Sequence, residues 1–219
     1  MLADSVSLEG ETIEMVRAYT YLGLDLDHRL SFDTHIARMC SKLAAVSGIL
    51  CKLKWILPQS VLLKIYFALA HSKLSYLPGA WGMANKKSIE QLQVLQKRCL
   101  KHINRLPIRH PTKDLFRTFC PRILNVNSII KFNVCSFIFK AIHKMSYNVL
   151  QFNERSHGYN TRNKDMLRQS AVKTISGMKA ISAQGCSLYN SLPARIRNAT
   201  QTKFQNELKS WLLANQYPD

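Results

Sequence analysis

The sequence is poor in acidic residues. Its 219 residues include 13 Asp and Glu against 31 Lys and Arg, which gives a formal net charge of +18. Seven of the acidic side chains lie within residues 1–33, so the rest of the chain holds only six acidic but 29 basic ones. A positive field of that size attracts polyanions, and we expect contact with nucleic acid or, alternatively, with an anionic membrane.

Long apolar runs are also missing. The most apolar stretch, residues 132–139, is interrupted by Asn133 and Ser136 and is far shorter than the ~20 residues that span a bilayer. The chain opens on Met-Leu-Ala-Asp-Ser, which does not resemble a signal peptide. We therefore expect no transmembrane segment and an intracellular location, cytoplasmic or nuclear, in which the six cysteines stay reduced.

Cysteine pairs with the C-x-x-C spacing of many zinc sites are also absent. Cys99 and His102 share a helix face and are followed by His110 and Cys120, so a zinc site is one interpretation. Without paired-ligand spacing, the favoured interpretation is that the thiols are free and buried. We predict no metal site and no cofactor.

No arrangement of Ser, Cys and His is typical of a nucleophilic triad. Paired carboxylates could hold the magnesium ions of phosphoryl transfer, and Asp25 and Asp27 are the nearest candidates. Both fall on one face of a predicted strand, and we interpret them as polar strand positions. We therefore predict no catalytic residue in this chain.

Hydrophobic periodicity predicts a mainly α fold: a helical bundle with a small N-terminal antiparallel sheet and a short β segment near the C-terminus. Short strands are expected within residues 5–27, where 18–27 read as one alternating strand. Helices are predicted at 32–56, 58–77, 86–106, 112–119, 126–147 and 202–215, a linker at 152–170, and short strands at 171–176 and 179–182. The predicted domains are residues 1–30 (edge strands), 31–150 (helical bundle) and 151–219 (linker with a small α/β segment).

Two predicted helices carry basic faces opposite their apolar stripes. On the first, Arg38, Lys42 and Lys52 fall within an ~80° arc. On the third, like charges four residues apart repel each other unless a polyanion lies against them. The basic residues of this third helix are Lys97, Arg98, Lys101 and Arg105. We predict that both faces bind nucleic acid.

Several short fragments, in their order and spacing, resemble one protein family. They are Tyr21-Leu22-Gly23, His35-Ile36, Gly48-Ile49-Leu50, Ile65-Tyr66, Leu74-Ser75-Tyr76, Trp81-Gly82, Gln96-Lys97-Arg98, Tyr159-Asn160-Thr161-Arg162-Asn163, Tyr189-Asn190-Ser191-Leu192-Pro193, and Phe204 with Leu208-Lys209. Across residues 18–215 they resemble the region after the palm in reverse transcriptases of non-LTR (LINE-like, jockey- or CR1-type) retrotransposons, namely the thumb and helical C-terminal segment.

The resemblance implies a binding role. Tyr21, Leu22 and Gly23 would lie near the primer terminus, and the helices after them would hold the RNA/DNA template–primer duplex. The family's aromatic-Ala-Asp-Asp palm motif does not occur in the sequence, so the resemblance implies a fragment without a complete catalytic site, whose palm and fingers are missing.

An alternative function is that of a basic helical interaction protein that binds a protein partner or an anionic membrane. Salt-dependent binding distinguishes the two, because only the first function predicts a preference for an RNA–DNA hybrid over liposomes.

Overall fold

The computed structural model describes residues 5–8, 10–14, 16–112, 115–143, 166–167 and 181–216. Helices dominate this part of the chain, and short strands precede them, which confirms the predicted mainly α fold with a small N-terminal antiparallel β portion. The α-helices are α1 (Asp33–Leu53), α2 (Gln59–Tyr66), α3 (Ser72–Leu74), α4 (Pro78–Trp81), α5 (Lys86–Ile103), α6 (Val126–Ile142), α7 (Cys186–Asn190), α8 (Ala194–Arg197) and α9 (Gln201–Asn215). Three π-helical turns accompany them, at Phe67–His71, Leu115–Phe119 and Ile181–Gly185.

The β portion consists of two separate antiparallel hairpins. Strand β1 (Ser5–Leu8) pairs with β2 (Glu11–Glu14), and β3 (Ala18–Tyr21) pairs with β4 (Leu24–Asp27). The prediction of one alternating strand over 18–27 is therefore wrong. Alternation along the sequence does not reveal that two residues in the middle of the run reverse the chain.

The first long helix starts without a side-chain cap. Phe32 is its N-cap residue, with φ of 58°, and no side chain caps the helix. Instead, Asp27 accepts four hydrogen bonds: from the amides of Arg29, Ser31 and Phe32 and from the Ser31 hydroxyl. Burial opposes ionisation of Asp27, but these bonds outweigh it and lower the pKa of the carboxyl. The end of β4 thereby determines where α1 begins.

The long helices pack around two apolar clusters. Helix α1 lies along α5, and its predicted apolar stripe is buried from Ile36 to Leu50. Helix α6 is buried on several sides, and it packs against α4, α5, α7 and α9. Residues of α7, α8 and α9 share a single core cluster with α1, α5 and α6.

The segment predicted as one helix over 58–77 is interrupted by a π-helical turn and ends at Leu74. The extra residue of a π-helical turn rotates the following side chains. Leu69 and Leu77 are exposed, whereas Ala70 and Leu74 are buried.

Part of the predicted C-terminal organisation lies outside the described residues: most of the linker at 152–170 and the strands at 171–176 and 179–180. Residues 181 and 182, predicted to end the last of these strands, belong to a π-helical turn. The domain boundaries at 30/31 and 150/151 stay predictions.

Candidate nucleic-acid interface

The β3–β4 hairpin turns at Leu22 and Gly23. Both residues have positive φ, 47° and 78°, as a two-residue hairpin loop requires. A glycine accepts this conformation readily, so a side chain at position 23 would be strained. Leu22 is 67% exposed, and the rings of Tyr19 and Tyr21 are also largely exposed. The hairpin tip, residues 21–24, thus presents apolar and aromatic surface to solvent.

Two side chains from the helical bundle hold the hairpin tip in place. Arg38 of α1 donates a hydrogen bond from Nη2 to the Gly23 carbonyl at 2.6 Å. Tyr76, between α3 and α4, donates its hydroxyl to the Leu22 carbonyl at 2.6 Å. Both carbonyls of the turn are therefore tied to the bundle, and the hairpin tip has a defined position relative to α1.

Asp25, which the sequence places on a strand, forms an ion pair with Arg38 at this attachment. Its Oδ2 lies 2.9 Å from Arg38 Nε, and its Oδ1 accepts a hydrogen bond from the Thr20 hydroxyl at 2.8 Å. His35 accepts a hydrogen bond at Nδ1 from the Asp25 amide at 3.4 Å. Burial lowers the pKa of His35, more strongly than the nearby Asp25 charge raises it, and the Arg38 charge adds to the lowering. At neutral pH the ring is consequently uncharged.

A cavity of about 260 Å³ opens beside the hairpin tip. We call it the basic cavity; its lining residues are Gly23, His35, Arg38, Met39, Lys42, Ser72, Lys73 and Tyr76. Arg38 is paired with Asp25, but Lys42 and Lys73 have no ion-pair partner among the described residues. Two ammonium groups without an ion-pair partner at one cavity form a site suited to a phosphate oxygen.

Two of the three residues on the predicted basic face of α1 are exposed to solvent, and we call this face the exposed flank of α1. Lys42 and Lys52 are exposed on α1, and Arg38 is half-buried because it holds the hairpin. Arg38 and Lys52 are 14 residues apart in α1, so the flank extends for ~21 Å from the basic cavity toward the far end of the helix.

The predicted basic face of the third helix, now α5, is corrected by the structure. Lys101 is only 7% exposed, and its ammonium group donates to the carbonyls of Ile108 and His110 at 2.7 and 2.5 Å. The segment after α5 folds back and covers the side chain. Lys101 therefore stabilises a loop and does not lie on an open face.

The other basic residues of this helix have different surroundings. Lys97 is half-buried, and burial followed by the charge of Lys101 lowers its pKa. Arg98 is exposed. Arg105 lies beyond the end of α5 with φ of 55° and donates to the carbonyls of Lys54 and Leu57. The four side chains thus do not share one solvent face, and their predicted contact with nucleic acid stays a prediction.

The neighbouring Gln96 is a structural residue that sequence reasoning did not identify. It is fully buried, donates to Tyr66 Oη and the Leu124 carbonyl, and accepts from the Val126 amide. A buried amide needs such partners, and here they connect α5 to α2 and to the start of α6.

The residues of the imagined zinc site lie mostly in the core. Cys99 and Cys120 are buried free thiols, and burial raises the pKa of Cys99 to about 11. Over the described residues, no group of three or more His, Cys, Asp or Glu side chains is arranged to hold a metal ion. Within the same residues, no helix is both long and apolar enough to cross a membrane.

Sequence comparison adds one relative. Over 118 residues, the chain is 30% identical to the RNA-directed DNA polymerase from mobile element jockey of Drosophila melanogaster. The chain is related to non-LTR retrotransposon reverse transcriptases. This confirms the resemblance found in the sequence. The match covers 51% of this chain and 13% of the polymerase, so the chain corresponds to a small part of that protein. No family model and no solved structure matches the chain.

Sequence reasoning named Tyr21, Leu22, Gly23, Arg38 and Lys42, and the structure brings all five to the basic cavity or the hairpin tip beside it. It gave no role to Lys73 or to Tyr76. The fragment Leu74-Ser75-Tyr76, shared with the family, was the available signal for Tyr76. Nothing in the pattern indicated Lys73, because the π-helical turn before it changes the direction of its side chain.

Proposed function

We propose that this chain is the thumb region of a reverse transcriptase related to the jockey polymerase and that it binds the template–primer duplex. The hairpin tip would lie near the primer terminus, and the exposed flank of α1 would follow the phosphate backbone. One observation carries the proposal: the hairpin tip is held beside a cavity whose two unpaired lysines, Lys42 and Lys73, can contact phosphates.

The chemistry of the flank suits a duplex of any sequence. Ammonium groups on a helix contact phosphates without reading bases, and such contacts determine where a protein lies on the duplex. An RNA–DNA hybrid is recognised by its shape and backbone, so the relevant features are rigid spacing and charge. Lys42 and Lys52 provide that spacing, because both project from one continuous helix.

Asp25 and Asp27, the carboxylates considered as magnesium ligands, form structural contacts in the folded chain. Asp25 is paired with Arg38 and Thr20, and Asp27 accepts four hydrogen bonds at the start of α1. Binding two magnesium ions would require both groups to give up these partners. The arrangement favours duplex binding over catalysis by this part of the chain.

The test is the salt dependence of binding to an RNA–DNA hybrid. Lysines 42, 52 and 73 are changed together to Gln in one variant. In a matched control, three exposed lysines on other helices, Lys64, Lys140 and Lys203, are changed to Gln. Both variants lose three charges, so a general field effect would alter them equally.

We expect the first variant to flatten the slope of log K against log[salt] by roughly two to three units, because each neutralised phosphate contributes about 0.9 on the scale of a B-form duplex. The control should change the slope by less than one unit. Equal flattening in both variants would contradict a localised interface. Tighter binding to anionic vesicles than to the hybrid would favour the membrane alternative.

A further inference from the structure

Trp55 is exposed at the end of α1, in the connection to α2. It is 69% exposed and the adjacent Ile56 is 74% exposed, whereas Trp81 is fully buried and Trp211 is half-buried. Keeping a large indole in water forfeits the free energy that its burial would provide. The folding of the chain alone therefore does not explain why Trp55 is exposed.

Two cations accompany the indole. Lys54 Nζ lies 5.2 Å from the ring centroid, and Arg105 Cζ lies 5.7 Å from it. The Arg105 side chain is anchored, since its Nε donates to the Lys54 carbonyl at 3.0 Å and its Nη2 reaches the Leu57 carbonyl at 3.5 Å. The same connection that carries the ring is thus tied to the end of α5, and ring and charges are held together before any ligand arrives.

We propose that Trp55, Lys54 and Arg105 form a stacking platform for an unpaired base of single-stranded nucleic acid. An exposed aromatic ring with two cations over it offers both a π-surface for the base and positive charge for the phosphate beside it. A membrane interface or a protein surface would also accept the indole of Trp55 and the side chain of Ile56, so binding to anionic vesicles is one outcome of the test.

The platform goes beyond the duplex-binding function, because it binds unpaired bases and lies at the other end of α1 from the hairpin tip. Arg38, which holds the hairpin tip, and the end of α1 at Leu53 are ~22 Å apart along the helix. A strand that leaves the duplex along this flank would reach the platform after passing Lys52. The platform includes no residue of the hairpin or of the basic cavity. An experiment can therefore disprove one of the two sites and leave the other unaffected.

Two substitutions distinguish stacking from apolar contact. Trp55→Phe keeps an aromatic ring, and Trp55→Leu keeps apolar volume but removes the ring. Binding of labelled oligo(dT) is measured by fluorescence anisotropy, with a blunt RNA–DNA hybrid as the second probe. Both variants should retain the parent's circular dichroism and melting temperature, because the side chain is exposed.

We expect Trp55→Leu to weaken oligo(dT) binding about 5- to 150-fold, the range that corresponds to the loss of one base–aromatic stack, and Trp55→Phe to retain most of the affinity. Binding of the blunt hybrid should change less than twofold. Oligo(dT) affinity within twofold of the parent in Trp55→Leu, or a loss in Trp55→Phe as large as in Trp55→Leu, would overturn the stacking proposal.

Intrinsic fluorescence gives an independent measurement. Oligo(dT) should quench the emission of the parent and of a Trp211→Phe control, and quenching should disappear in Trp55→Phe. Trp211 is a matched control because Lys131 Nζ lies 4.8 Å from its ring but the indole is half-buried. Quenching that persists in Trp55→Phe would overturn the proposal. So would emission that responds to anionic vesicles and not to oligo(dT).

Discussion

Replacing Arg38 with Gln removes the charge that ties α1 to the β3–β4 hairpin. The variant loses the contact with Asp25 Oδ2 at 2.9 Å and the hydrogen bond to the Gly23 carbonyl at 2.6 Å. Among the described residues, the Asp25 carboxylate then keeps the hydrogen bond from the Thr20 hydroxyl, with His35 Nδ1 3.7 Å from its Oδ2. The prediction concerns the free energy of unfolding and the position of the hairpin tip.

The magnitude follows from the exposure of the two partners. The Asp25 side chain is 12% exposed and that of Arg38 is 38% exposed, so the pair lies between a buried and a surface ion pair. Removing one partner of a buried pair costs about 3–5 kcal/mol, and exposed pairs contribute about 0.2–1 kcal/mol. We expect a loss of about 2 kcal/mol, which corresponds to a melting temperature lowered by about 4–8 °C for a chain of this size.

The assay is a double-mutant cycle with Asp25→Asn, followed by thermal and urea unfolding. Because the two side chains contact each other, their effects should be non-additive by about 1 kcal/mol. Arg38→Lys serves as the control that keeps the charge but cannot contact Asp25 and the Gly23 carbonyl together. It should preserve the salt slope of duplex binding and still release the hairpin, seen as faster hydrogen exchange of the β3 and β4 amides. Additive effects, or a loss below about 0.5 kcal/mol for Arg38→Gln, would refute this reasoning.

Three further predictions concern stability. Lys101→Met should cost about 2–3 kcal/mol in urea unfolding, because the carbonyls of Ile108 and His110 lose a charged donor; an unchanged midpoint would contradict the buried role of this lysine. Since burial lowers the pKa of His35, the unfolded chain takes up its proton first, and stability should fall as pH drops below about 6.5. His35→Gln should lose less stability between pH 7 and pH 5 than the parent does, as measured by melting temperature. Gly82→Ala places a Cβ 2.6 Å from an isoleucine side chain of α6 and should cost about 1–3 kcal/mol, whereas a melting temperature equal to the parent's would show that α4 can shift.

Local sequence was sufficient to predict the long helices α1, α5 and α6 and the basic flank of α1. The apolar stripes of α1 and α5 follow a period that depends only on the residues themselves. Ile36 to Leu50 of the α1 stripe are buried, and so are Ile89, Leu92, Cys99 and Ile103 on α5. The exposure of Lys42 and Lys52 opposite the α1 stripe follows from the same geometry. Relation to the jockey polymerase was likewise accessible from short fragments, because order and spacing are properties of the sequence.

Contacts between distant segments decided the rest. Lys101 has the same helical spacing as a free surface lysine, and only the path of the chain after α5 brings two carbonyls to its ammonium group. In the sequence, Asp25 has the pattern of an ordinary strand carboxylate. In the folded chain, the turn at Leu22 and Gly23 brings it against Arg38. The exposure of Trp55 beside Arg105 likewise depends on how the end of α5 meets the α1–α2 connection. Helical periodicity is set within a few residues, whereas the burial and pairing of a long charged side chain depend on which remote backbone folds over it.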